Sequence, residues 1–199
     1  GADAVKLQTY TADTITLNSD KDYFRVKGKD QPDTWKGETL YNLYQTAYTP
    51  WEWQPRLKKV ADELGILFFS SPFDDTAVDF LENEVGIDFY KIASYEAVHI
   101  PLLHKVASMR KPVIISIGFA DKEEATLAVE TLKKNGAPDI VVLHCVTAYS
   151  DMPKLADMNL ATIDDIQTRF GVEAGFSDNN AGIIAPIIAA VAHKAVAVE

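Results

Sequence analysis

Apolar strand-like runs alternate with amphipathic helical stretches seven times along this 199-residue chain. The runs fall in Gly1–Gln8, Ile66–Phe69, Asp88–Glu96, Pro112–Ser116, Asp139–Leu143, Val172–Phe176 and Ala195–Val198. They are near-continuous in apolar residues rather than alternating, the pattern of parallel strands covered on both faces. Two architectures fit, a doubly wound sheet or a (β/α)8 barrel. Seven units, in a chain that opens as though in mid-architecture at Gly1-Ala2-Asp3, favour a TIM barrel whose first β/α unit is missing. A single domain over 1–199 is expected, since this length buries a sizeable core.

The helices between the strands carry their own stop and start signals. Thr49-Pro50-Trp51-Glu52 has the form of a capping box and predicts a helix toward Leu64, stopped by Gly65, with Pro55 inside the span. Asp75–Val85 is helical by spacing and Gly86 stops it. Pro101–Met109 is a further helix. Asp121 is an N-cap with Glu124 three residues on; Ala125, Ala128, Val129 and Leu132 line one face, and Gly136 ends the helix. Helices are also expected at Thr162–Phe170 and Ala181–His193. Thr9–Gly37 is a long polar stretch, of the kind that is usually functional when it interrupts a compact domain. Trp51 and Trp53 are expected to be packing residues.

In a barrel, chemistry sits at the C-terminal ends of the strands. Those ends carry Lys6 and Gln8, Ser70 and Ser71, Lys91 with Ser94 and Glu96, Ser116, His144 with Thr147, and Ser177 with Asp178. The strand starts carry nothing comparable. Two lysines and several hydroxyls on one rim suit a phosphate or carboxylate, the lysines as point charges and the serines as donors. Glu96 can accept hydrogen bonds from sugar hydroxyls or act as a base. His144 is the histidine on the rim; His99, His104 and His193 read as surface or packing residues.

Other classes are disfavoured. The net charge of -10 lacks the basic stripe of a nucleic-acid binder. No apolar run reaches membrane-spanning length and no signal peptide precedes the first strand. The single cysteine, Cys145, precludes an internal disulfide framework and reads as a small buried apolar residue. A cytoplasmic protein is expected. There is no GxxxxGK[ST], GxGxxG, CxxC or HExxH motif.

Six tracts in order carry a family resemblance: Gly1–Gln8 (GADAVKLQ), Ser70–Phe73 (SSPF), Tyr90–Glu96 (YKIASYE), Lys111–Gly118 (KPVIISIG), His144–Tyr149 (HCVTAY) and Gly175–Asp178 (GFSD). Together they resemble the N-acetylneuraminate (sialic acid) synthase family. Within it, QTYTADT (Gln8–Thr14), AYTPWEWQP (Ala47–Pro55) and SSPFDDTAVDFLE (Ser70–Glu82) are most similar to pseudaminic acid synthases. The resemblance implies a TIM-barrel transferase that condenses phosphoenolpyruvate with the open-chain aldehyde of an acetamido sugar. C3 of the enolpyruvate attacks the aldehyde, water adds to the oxocarbenium carbon, and the C–O bond to phosphate breaks. It implies substrate-binding roles for Lys6, Ser71, Ser94, Ser116, Thr147 and Ser177, and for Lys91, which is also placed with Gln8 and Glu96 in the catalytic set. It also implies a divalent metal, Mn²⁺ or Mg²⁺, and a homodimer in the full-length protein.

The sequence departs from the family at the metal. The family's GLSDH tract reads Gly175-Phe176-Ser177-Asp178-Asn179, so Asn179 stands where a metal-binding histidine belongs. An amide oxygen is a weaker Mn²⁺ ligand than imidazole. The second metal histidine would follow Glu199. The first strand and a small C-terminal antifreeze-like domain are also expected to be missing. Alternative readings are an N-acetylneuraminate or legionaminate synthase, or a catalytically inert barrel that binds an anion or a partner subunit.

Overall fold

The computed structural model describes residues 1–27, 34–150 and 154–199, and of 148–150 the backbone alone. Part of the polar stretch read over Thr9–Gly37, residues 28–33, therefore lies outside the described residues. The described chain forms two compact units, Gly1–Ile87 and Asp88–Glu199.

In the first unit β1 (Ala4–Thr9) leads through a short helix α1 (Ala12–Ile15) to α2 (Leu40–Ala47) and α3 (Gln54–Leu64). Strand β2 (Leu67–Pro72) and α4 (Asp75–Phe80) follow. The two strands pair in parallel, with Lys6 opposite Phe69 and Gln8 opposite Ser71. The Thr49 capping box does not form. Trp51–Trp53 is a 3-10 turn, and α3 starts only at Gln54. Pro55 has no N–H to give and fixes φ, so it is accommodated in the first turn and sets the start there. Gly65 closes α3 at φ 68°, in the left-handed region expected of it. The helix read over Asp75–Val85 is α-helical only to Phe80; Leu81–Val85 is a π turn. Trp51 packs on Phe80 with ring centroids 4.9 Å apart and donates Nε1–H to the Tyr10 carbonyl at 3.0 Å. Trp53, by contrast, is exposed.

The second unit runs β3 (Tyr90–Ile92), α5 (Ile100–Ser108), β4 (Val113–Ser116), α6 (Lys122–Lys134), β5 (Ile140–Ser150), α7 (Thr162–Phe170), β6 (Glu173–Asn180) and α8 (Ile184–Ala192). All four strands pair in parallel in chain order. Ala195–Val198, expected as a full strand, makes one parallel bridge, Phe176 to Val198, and runs beside β6 through backbone bonds such as Val196 N–H to Ala174 O at 2.9 Å. The apolar continuity of the strands follows from burial on both faces. Ile92, Ile115, Val142 and Ala174 lie in register across one face and are fully buried. Complete burial of each large aliphatic residue in this row contributes about 1.5–3 kcal/mol.

Helix α6 begins as its sequence dictates. Asp121 Oδ1 accepts from Glu124 N–H at 2.8 Å, and Glu124 Oε2 accepts from Asp121 N–H at 2.9 Å. Asp121→Ala is expected to lose about 0.5–2 kcal/mol of stability, seen as a lower urea midpoint with an unchanged slope. The helix ends at Lys134 with Asn135 as its C-cap, one residue before Gly136.

Candidate active site

The strand register decides which side chains share a face. In the second unit Lys91 lies opposite Ile114, Ser116 opposite Leu143, Leu143 opposite Gly175, and Cys145 opposite Ser177. Alternate residues of a strand point the same way. Lys91, Ser116, Cys145 and Ser177 therefore belong to one face, toward the C-terminal ends of their strands, and Asn179, beyond a shift in the β5–β6 register, brings its amide nitrogen within 3.6 Å of Cys145 Sγ. His144 belongs to the other face. There it borders a cavity formed with Asp121, Lys122 and Ala125 of the α6 region and Thr162 and Ile166 of α7. Its Nε2 sits 2.7 Å from the Met158 carbonyl, which fixes the ring with Nε2–H as donor. Burial holds its pKa below the usual histidine value, with the Met158 bond pulling the other way. Its neighbours are thus the helix layer and not Lys91.

Lys91 is the buried cation of this face. It is 2% exposed, and its ammonium donates to Ser116 Oγ and to the Ile92 carbonyl, each at 2.8 Å. Glu199 Oε2 lies 3.5 Å away. A charge this buried is retained only where partners hold it, and here they hold it beside a hydroxyl on the strand ends. Asp88–Glu96 does not deliver Lys91, Ser94 and Glu96 from one strand. Strand β3 stops at Ile92, because Ser94 takes helical angles and opens a 3-10 turn over Tyr95–Val98 that carries Glu96. Ser94 Oγ accepts the Gly118 N–H at 3.2 Å and ties this turn to the loop after β4.

Glu96 Oε2 is buried with no hydrogen-bond partner among the described residues. Burial raises its carboxyl pKa; its own backbone N–H and the nearby Lys91 ammonium offset part of the rise. The raised pKa has a stability consequence of definite sign. The native state holds the proton to higher pH than the unfolded state, whose value is near 4.5. Stability therefore falls as pH rises from there through the folded value, and the penalty stays above it. Glu96→Gln is expected to match the wild type in urea below that window and to be the more stable protein at neutral pH. Equal midpoints at both ends would contradict this.

In the first unit Lys6, Gln8 and Ser71 share a face of the β1–β2 pair. Gln8 is exposed and Lys6 half-buried. Ser71 is buried, and its Oγ has no partner among the described residues. Ser70 points to the opposite face, where its Oγ lies 2.7 Å from Thr9 Oγ1, which donates to Gln54 Oε1 at 3.0 Å. That buried triad binds β1, β2 and α3 together, so Ser70 is a structural residue.

Asn179 spends its amide nitrogen on the Val146 carbonyl at 2.9 Å and on Cys145 Sγ at 3.6 Å. One neutral amide oxygen remains. Among the described residues no group of three or more His, Cys, Asp and Glu side chains is placed to hold a metal. The described residues do not by themselves make a ligand set for a divalent ion. Cys145 is buried, as its apolar surroundings in the sequence imply.

Two contributors to this face escape the sequence reading. Glu199 reaches Lys91 from far along the chain, and no spacing signals such a pair. Gly118 stood within a quoted tract, but its reason is spatial. A Cβ there would meet Thr147 Cγ2 at 2.5 Å and the Cys145 carbonyl at 2.8 Å.

A sequence profile of the NeuB family matches residues 1–199. A pseudaminic acid synthase of Campylobacter jejuni is 43% identical over 95% of this chain and 53% of its own length. One from Helicobacter pylori is 42% identical over 95% of this chain and 54% of its length. The chain thus spans about half the length of the curated relatives it matches. A crystal structure of an N-acetylneuraminic acid (sialic acid) synthetase from Leptospira borgpetersenii superposes with a TM-score of 0.81 at 30% identity, covering 100% of this chain and 61% of that one.

Proposed function

Since the chain belongs to the NeuB family, we propose that it is part of a carbon–carbon bond-forming synthase that condenses phosphoenolpyruvate with an acetamido sugar aldehyde. The products are a nonulosonic acid and inorganic phosphate. The incomplete TIM barrel inferred from the sequence is part of this reading, supported by the parallel strands of each unit. The single observation that carries it is the buried Lys91 ammonium, hydrogen-bonded to Ser116 at the strand ends.

The chemistry asks for what these groups offer. Lys91 and Ser116 bind an anionic oxygen of phosphoenolpyruvate. Positive charge fixed in a water-poor site stabilises the negative charge that grows on the departing phosphate, without reorganisation during the reaction. Ser94, Thr147 and Ser177 add hydroxyls, and Lys6, Gln8 and Ser71 take the substrate roles that the resemblance gives them. C3 of the enolpyruvate attacks the aldehyde carbon, whose oxygen becomes the hydroxyl. Water adds to C2, and the C2–O bond breaks to release phosphate. Glu96, with an acceptor oxygen unmet, accepts a hydrogen bond from a sugar hydroxyl, and the proton that the attacking water gives up balances the one gained by the aldehyde oxygen.

The similarity to two pseudaminic acid synthases, at 42–43% identity, supports that sugar class over N-acetylneuraminate or legionaminate. A cytoplasmic homodimer is part of the same proposal. No helix among the described residues is long and apolar enough to cross a membrane. The test is a turnover assay with the full-length protein, phosphoenolpyruvate and the acetamido sugar. Phosphate should appear only when both substrates are present, with a product of the summed mass less phosphate plus water. No phosphate release with any acetamido sugar overturns the reading and favours the inert homologue to which Asn179 points. Asn179→His with added Mn²⁺ then separates the remaining cases: regained turnover favours a decayed enzyme, and none favours the inert homologue.

A further inference from the structure

Glu199 has no role in the chemistry above, yet it stands against the ammonium on which that chemistry depends. Its Oε2 lies 3.5 Å from Lys91 Nζ. Its backbone fixes it beside β6, with its N–H donated to the Phe176 carbonyl and its carbonyl accepting from Asp178 N–H, each at 2.9 Å. From β3 to this segment the second unit counts four strand spacings, about 19 Å if the sheet were flat. A lysine and a glutamate side chain together cannot span that. The sheet of this unit therefore curls until its first and last strands face each other, and Glu199 meets Lys91 across the concave side.

An ammonium has only three N–H groups to give. Lys91 donates to Ser116 Oγ and to the Ile92 carbonyl at 2.8 Å, and Glu199 at 3.5 Å is a looser contact than either. With 23% of its side chain exposed, Glu199 can turn toward water. A second anion on the same ammonium would be repelled by this carboxylate in a water-poor site. Without a bound anion, however, a buried ammonium needs a counter-ion.

We propose that Glu199 is the exchangeable counter-ion of Lys91. It keeps the ammonium charged and aimed until phosphoenolpyruvate arrives, and an anionic oxygen of that ligand then displaces it. The proposal rests on the synthase reading and makes Glu199 a positioning residue that acts through Lys91. Glu199→Gln favours binding at both ends: the free protein carries an uncompensated ammonium, and the complex loses a repulsion.

Calorimetry and urea unfolding of the full-length protein test this. Glu199→Gln should bind phosphoenolpyruvate about tenfold more tightly and, without ligand, unfold at a lower urea concentration. Saturating phosphoenolpyruvate should raise its midpoint more than that of the wild type. A carboxylate that only supports the fold would give the opposite sign, weaker binding. Unchanged or weaker binding by a folded Glu199→Gln, beside a wild type that binds, overturns the counter-ion role alone. If the variant does not fold, a structure of the wild-type complex decides. Glu199 should then lie beyond the about 4 Å of an ion pair from Lys91. A Glu199 still within that distance, with the ligand on Lys91, overturns the exchange. A wild type that does not bind phosphoenolpyruvate overturns the synthase reading, and this inference with it.

Discussion

Lys91→Met is expected to raise the dissociation constant for phosphoenolpyruvate at least about 100-fold, or roughly 2.7 kcal/mol. Methionine keeps the length and much of the volume of the side chain, so the packing among buried neighbours survives. What disappears is the ammonium, with its bonds to Ser116 Oγ and the Ile92 carbonyl. An anion placed beside Ser116 would then meet a hydroxyl and no charge. Glu199, an ionic partner at 3.5 Å, would turn from counter-ion to repulsive neighbour. Its side chain is 23% exposed, so water can take up part of its charge and the fold should persist. Calorimetric titration with circular dichroism as the control checks both halves. Binding within a few-fold of wild type would remove Lys91 from the site.

Gly118→Ala is expected to cost about 1–3 kcal/mol of stability, the range for forcing a methyl into packed space. The new Cβ would fall inside contact distance of Thr147 Cγ2, of the Cys145 carbonyl and, at 3.0 Å, of Cys145 Cβ. A side-chain methyl can rotate away, but a strand carbonyl cannot. The loop after β4 must shift instead, which stretches the Gly118 N–H to Ser94 Oγ bond. Lower phosphoenolpyruvate affinity should therefore accompany the lost stability. Thr147→Ser removes the methyl in closest approach, so the double variant should be less damaged than the sum of the two singles. Strict additivity in a double-mutant cycle would show that the clash does not run through Thr147.

Local signals in the sequence suffice where one residue decides. The Asp121–Glu124 capping box, the Thr162–Phe170 helix and the left-handed stops at Gly65 and Gly86 all form as spacing predicts. The apolar runs became strands because burial on both faces demands them. Reading failed where neighbours compete or where partners are remote. Pro55 overrode the Thr49 box, and Ser94 ended β3 after three residues. His144 and Ser70 stand at strand ends, but which face each occupies is set by pairing register, which composition does not reveal. The Lys91–Glu199 pair and the tight seat of Gly118 are tertiary facts. Lys91 and Ser116 are visible in the sequence as strand-end residues; the hydrogen bond that joins them is not.

A structure of the full-length protein with phosphoenolpyruvate tests the central claim most directly. A phosphate or carboxylate oxygen of the ligand should lie within about 3 Å of both Lys91 Nζ and Ser116 Oγ. A ligand bound with its anionic groups away from Lys91, at full occupancy, would contradict the account.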